Sequence, residues 1–190
     1  MEAVKVDFDE NFLKAIGDFS LFNEAAETED EVGTVLRMHL TFEGMLEVLL
    51  EMYRTEENKQ YLEGNLFNEK LKLAVALGLP IAMAKVATQI NKIRNNIAHP
   101  RKGHKVNPDD VKRLTELVKD LQEMDPQACL EIEKFKLEVS VRPGEVVTYG
   151  SGETRHDFFM SAGAAYGIFL KWLVKVNAYN KLRTQVSESS

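Results

Sequence analysis

The sequence predicts a mainly α-helical domain with one short β-hairpin near residues 135–149. Three observations carry this: apolar residues recur at the helical period in several segments, two Thr-x-x-acid pairs of the helix-capping kind are present, and only one stretch alternates by two. Thr28 and Glu31 form the first capping box, and behind it Val35, His39, Phe42, Leu46, Leu49 and Tyr53 follow at spacings of four and three, which predicts a long helix over about 29–54. A shorter helix over about 66–77 reaches Gly78 and Pro80, a stop followed by a restart. The next helix buries Val86, Ile90, Ile93 and Ile97 and ends by Pro100, which disfavours helical geometry at His99. Asn107 and Pro108 then read as cap and first helical residue, with Asp109 and Asp110 at the positive end of a helix running to about Met124.

Phe135, Leu137, Val139 and Val141 alternate with Lys136, Glu138 and Ser140, and Arg142-Pro143-Gly144-Glu145 separates them from Val146–Tyr149, which gives the hairpin. Thr154 and Asp157 form the second capping box, before a helix marked by Phe158, Ala162, Ala165, Phe169 and Leu173. Its small residues, Ser161, Gly163, Ala164 and Gly167, read as a surface for close helix packing. The organisation expected is one helical domain over 1–184 and a loose Ser-rich tail over 185–190.

The 190 residues carry 30 Asp and Glu against 24 Lys and Arg, a net charge of −6, and 44% are hydrophobic, which excludes a chain disordered by composition. A lone cysteine, Cys129, provides neither an internal disulfide nor a thiolate zinc site and suits a reducing compartment, so a cytoplasmic location is expected. The start, MEAVKVDFDENFLKAIGDF, lacks the basic and apolar blocks of an export signal. The uncharged run Phe158–Leu170 stops at Lys171, short of the roughly 18–20 residues a bilayer needs, so no membrane partner is expected.

Charge is unevenly placed. Between Lys70 and Pro108 there is no Asp or Glu, while Lys70, Lys72, Lys85, Lys92, Arg94, Arg101, Lys102 and Lys105 all fall there. Such asymmetry can focus an anionic ligand on one face, although a basic helix end paired with acidic helices gives the same pattern. The helix within this segment ends Arg94-Asn95-Asn96-Ile97-Ala98-His99, with Asn95 and His99 one turn apart, Arg94 on the flank, and Ile93 and Ile97 turned to the core. An arginine holds a phosphate through two parallel hydrogen bonds, and an imidazole exchanges a proton near neutral pH.

Arg94, Asn95 and His99, at a helix end, resemble the signature of the HEPN superfamily: arginine, a polar residue, a few more residues, then histidine, in an up-and-down helical bundle. The preceding LKLAVALGLP and the helix into INKIRNNIAHP are similar to the mannitol operon repressor branch; the likeness spans about Thr28 to Pro100. The resemblance implies a metal-independent endoribonuclease of the toxin or phage-defence kind, working as a homodimer with facing motifs and partnered by a cognate antitoxin or regulatory protein. In it His99 would act as general base or acid while an RNA 2′-hydroxyl attacks its neighbouring phosphate, Arg94 would stabilise the phosphoryl charge, and Asn95 would orient His99, leaving a 2′,3′-cyclic phosphate. Lys85, Lys92, Arg101, Lys102 and Lys105 are the expected RNA-binding residues. The resemblance equally covers non-catalytic regulators that act through protein–protein contacts. The hairpin is not part of the minimal helical pattern.

Other chemistries lack their motifs. His39 and Glu43 stand one turn apart, but His39 lies on an apolar stripe and reads as a core histidine; no His-Glu-x-x-His occurs, and no metal is expected. Gly150-Ser151-Gly152 has no phosphate-loop lysine after it, and neither a Gly-x-Ser-x-Gly elbow nor a dinucleotide fingerprint is found, so no cofactor is expected. Trp172 falls at helical spacing with the terminal phenylalanines and reads as core or dimer surface.

Overall fold

A computed structural model describes residues 8–63, 66–98, 105–124 and 132–188. Its helices, in chain order, are α1 (Glu10–Gly17), α2 (Ser20–Glu27), α3 (Glu31–Met52), α4 (Phe67–Ala76), α5 (Ile81–Ala98), α6 (Pro108–Met124) and α7 (Thr154–Glu188), with a 3₁₀ turn at Lys59–Tyr61. Strands β1 (Lys136–Glu138) and β2 (Val146–Thr148) pair antiparallel, Leu137 opposite Val147. The fold is mainly helical with one small hairpin, as the periodicities predict.

The helices begin where side chains can meet the unpaired N–H groups of a first turn. At α3 that side chain is Asp30 rather than Thr28: its carboxylate accepts from Val32 N (3.2 Å) and Gly33 N (2.8 Å), while Thr28 Oγ1 accepts from Asp30 N. Two acceptor oxygens at the cap position outcompete a hydroxyl two residues earlier. The second expected box also shifts. Helix α7 begins at Thr154, and the Asp157 carboxylate accepts from Gly150 N (2.6 Å), tying the preceding loop down instead of reciprocating a cap. Between α4 and α5, Gly78 takes φ +106°, which lets Leu79 N donate to Ala74 O (2.9 Å) and closes the end of α4. Asn107 caps α6 as expected, accepting from Asp109 N (2.9 Å).

Helices α3, α5, α6 and α7 form a ring, each packed on the next, with α2 laid on α3 and α4 bridging α3 and α5. Phe42, Phe158, Phe159, Phe169, Ile90 and Leu114 fill the interior. Phe42 meets Phe169 edge-on at 5.1 Å, and Arg155 Nη1 donates to Thr28 O (2.5 Å) near the starts of α3 and α7, so these two helices run in the same direction. Thr115 and Ser161 share a buried 2.8 Å hydrogen bond between α6 and α7. Gly163 lies beneath the Phe22 ring of α2. Ser161 and Gly163 of the small-residue face of α7 are thus used inside the chain, whereas a side chain at Gly167 would meet nothing within reach.

Helix α7 is apolar and long enough over Thr154–Gln185 to cross a membrane by length and composition, with mean hydropathy 1.2 over its best window, but 61% of that window is buried in the fold. It runs to Glu188, past the Thr184 boundary expected for the domain. The hairpin lies against α7, and its turn carries Arg142, whose Nη1 donates to Glu27 O (2.5 Å). The last carbonyls of α2 are therefore met by two arginines, Arg142 and Arg155, from far along the chain.

Candidate functional site

Burial of Val86, Ile90, Ile93 and Ile97 fixes the rotation of α5 and with it the direction of every polar residue on that helix. Arg94 emerges half-buried. Its Nη1 donates to Asn95 Oδ1 (3.0 Å), whereas its Nε is buried and has no partner among the described residues. Asn95 is exposed. His99, the third residue of the expected catalytic set, lies outside the described residues, as do Arg101 and Lys102.

One turn before Arg94, Asn91 projects into a polar seam between α3, α4 and α5. Its Oδ1 lies 3.0 Å from His39 Nε2, and its Nδ2 donates to Asn68 Oδ1 (3.0 Å). Since Asn91 presents its carbonyl oxygen, His39 carries its proton on Nε2. The imidazole also rests on Phe67, centroids 4.5 Å apart. Burial depresses the pKa of His39; the Asn91 hydrogen bond opposes this, and the nearby Arg94 cation adds to the depression. His39 is therefore neutral at pH 7, a buried histidine with a satisfied Nε2–H, as its place on the apolar stripe predicts. Lys70 bonds Glu43 (2.8 Å) and Glu47 (2.5 Å); burial alone would lower its pKa, but the two carboxylates hold it above the ordinary lysine value.

The described bases of this segment do not form one patch. Lys70 is neutralised by the α3 acids, and Lys92 leaves α5 on the flank opposite Arg94 to meet Asp110 Oδ1 (2.7 Å). Asp110 also accepts from Asn96 at Oδ2 (2.9 Å), and its backbone carbonyl from Gln89 (2.8 Å). Burial would raise its pKa, but the Lys92 and Asn96 hydrogen bonds outweigh that and hold it low. Asp110, expected as a helix-dipole residue, is thus also the tie between α5 and α6. Lys85 and Lys105 are exposed.

A second cluster gathers where the hairpin meets α7. His156 Nδ1 lies 3.2 Å from Ser151 Oγ, and its Nε2 lies 3.3 Å from Glu153, a set of residue types shared with serine hydrolases. Arg155 decides against that chemistry: its Nη2 sits 2.7 Å from the same Nε2 and can only donate, so the imidazole proton stays on Nδ1 and is given to Ser151. Such a histidine cannot take the serine proton. Burial, then the Arg155 charge, keep its pKa low. Among the described residues no group of three or more His, Cys, Asp or Glu side chains is placed to hold a metal ion.

No family model matches the chain, and neither a curated protein nor a solved structure is similar to it.

The structure brings Arg94 and Asn95 together, separates Lys92 from them, and adds His39, Asn91 and Asn68, which sequence reasoning did not join to the motif. The available signal was Asn91 itself, a polar residue one turn before Arg94 and next to Ile90 of the apolar stripe.

Proposed function

We propose that the end of α5 is an RNA-cleaving site of the HEPN kind. The observation that carries the reading is the Arg94 guanidinium, steered by Asn95 at one nitrogen and left at another with a buried Nε–H unpaired among the described residues, five positions before His99 in the sequence. A buried donor without a partner costs about 1–3 kcal/mol, and an anionic phosphate that drew Arg94 toward it would supply the missing acceptor. The His39–Asn91–Asn68 seam supports the turn from which Arg94 projects.

On this reading His99 removes the proton from an RNA 2′-hydroxyl, whose oxygen attacks the adjacent phosphorus; the P–O5′ bond breaks, and the leaving oxygen regains a proton, giving a 2′,3′-cyclic phosphate and a 5′-hydroxyl end. Arg94 stabilises the charge that grows on the phosphoryl oxygens. Asn95 uses its carbonyl on Arg94, which leaves its amide hydrogens to orient His99. Exposed Lys85 and Lys105, with Arg101 and Lys102, attract the RNA strand; Lys92 contributes less because Asp110 pairs with it. The working unit is a cytoplasmic homodimer with facing motifs, restrained by an antitoxin or regulatory partner. Because Ser161 and Gly163 of α7 are spent within the chain, the pairing rests on the motif and not on that face.

The test is single-turnover cleavage of labelled RNA in EDTA, alongside thermal melts. Wild-type protein is expected to cut, and His99→Ala to lose about 10² to 10⁴ in rate with its melt unchanged. Intact RNA with the wild-type protein, or normal cutting by His99→Ala, promotes the non-catalytic regulator in its place.

A further inference from the structure

On the other side of α3 from the Arg94 seam, helices α1, α2, α3 and α7 enclose a cleft of about 700 Å³. That volume falls in the range of small-molecule sites, roughly 300–1,000 Å³. Its walls are mainly apolar, with Phe12, Leu21, Met45, Leu170 and Leu173 among them, and Tyr166 adds an aromatic face. The ionisable residues lining it, apart from Tyr166, are all acids: Asp9, Asp18, Glu47 and Glu51. Tyr166 keeps its hydroxyl proton, its pKa pushed up to about 12 by burial and by the Asp18 carboxylate.

The cleft also holds an acceptor with nothing to accept from. Tyr166, Leu170, Leu173 and Asn177 form one stripe of α7, and the last is only 8% exposed, with its Oδ1 buried and unpartnered. Buried polar atoms are nearly always paired, so an orphan in the wall of a cleft marks where a ligand donor would go. Because α3 and α7 run in the same direction, Glu51, near the end of α3, falls at the same end of the cleft as Asn177. Among the described residues its carboxylate pairs with Arg54 (3.0 Å), in an exposed pair one turn away.

We infer that this cleft binds an organic ammonium compound with an apolar body, its N–H donors given to Asn177 Oδ1 at the Glu51 end and its body laid along Leu170, Leu173 and Tyr166. A carboxylate would face Asp9, Asp18 and Glu51 with no base among the described lining residues, Glu47 being paired with Lys70, and a neutral hydrocarbon would leave Asn177 unmet. Neither the site nor its chemistry depends on the reading of α5.

The experiment is calorimetric titration of the full chain with three probes of one body, 4-phenylbutylamine, 4-phenylbutanol and 4-phenylbutyrate, at moderate salt. The amine is expected to bind saturably, at least about tenfold more tightly than the alcohol, with no heat from the carboxylate. Asn177→Leu is expected to lose about tenfold in amine affinity and less for the alcohol, whose single neutral O–H makes the weaker bond to Oδ1, and to melt no lower than wild type because its orphan acceptor is gone. Glu51→Gln should weaken the amine alone. Equal binding of amine and carboxylate, amine affinity indifferent to both variants, or no saturable amine binding, including the case in which light scattering shows a second copy of the chain covering the cleft, overturns the inference.

Discussion

Replacing Asn91 with leucine removes the acceptor that His39 Nε2–H uses at 3.0 Å and puts an apolar side chain of similar bulk at a position 9% exposed. Asn68, the other partner, is exposed and recovers water, so the loss falls on His39, which is 5% exposed. A buried donor stripped of its partner costs about 1–3 kcal/mol, so Asn91→Leu should destabilise by about 2 kcal/mol. With a urea slope of about 2 kcal/mol per molar, the unfolding midpoint should fall by about 1 M. His39→Leu should cost a similar amount by orphaning Asn91 Oδ1. The double variant replaces both polar partners with hydrocarbon and should sit well above the sum of the singles, with a coupling of about 1–2 kcal/mol. Urea denaturation of all four proteins measures this. Additivity within about 0.5 kcal/mol would refute the claim that the seam holds by this hydrogen bond.

Stability should also fall as the pH drops below the ordinary histidine value of about 6.5. His39 and His156 titrate lower than that in the fold, burial being the first cause in each, so the unfolded chain takes up their protons first; the contribution is full above about 6.5 and lost as the pH falls toward the folded values. The pair His39→Leu and His156→Gln should flatten that slope, and an unchanged slope would count against it. One substitution should act with opposite signs at two glycines. Gly78→Ala meets no neighbour but must adopt φ +106° and should cost about 1–2 kcal/mol, whereas Gly167→Ala, helical and also without a neighbour in reach, should stabilise by about 0.5–1 kcal/mol; thermal melts decide both.

Legibility followed the length of the repeating signal. Helices α3, α5 and α6 each show several turns of periodic apolar residues, and the alternation at Leu137 and Val139, broken by Arg142-Pro143-Gly144-Glu145, marked the hairpin. Helices α1 and α2, eight residues each, have too few turns for a stripe to stand out: α1 buries only Phe12, and α2 only Ala25 and Ala26. Arg94 and Asn95 were visible because neighbours on one helix keep their relation whatever the fold. The partners of Asn91 were not, since His39 lies 52 residues away and only the packing of α3 on α5 brings it near. For the same reason the sequence showed eight bases in one segment but not that Lys70 and Lys92 would turn to acids on opposite sides.

The arginines that finish α2 impose an order on synthesis. Glu27 and Thr28 leave the ribosome long before Arg142 and Arg155, which follow the carbonyls they serve by 115 and 127 residues. Until then the end of α2 faces water, and Phe22 has neither Phe159 nor Tyr166 to lie against. Helices α1 and α2 are therefore made well before the residues that complete their packing, and a nascent chain halted before the hairpin leaves Phe22 open to whatever chaperone or neighbour arrives first.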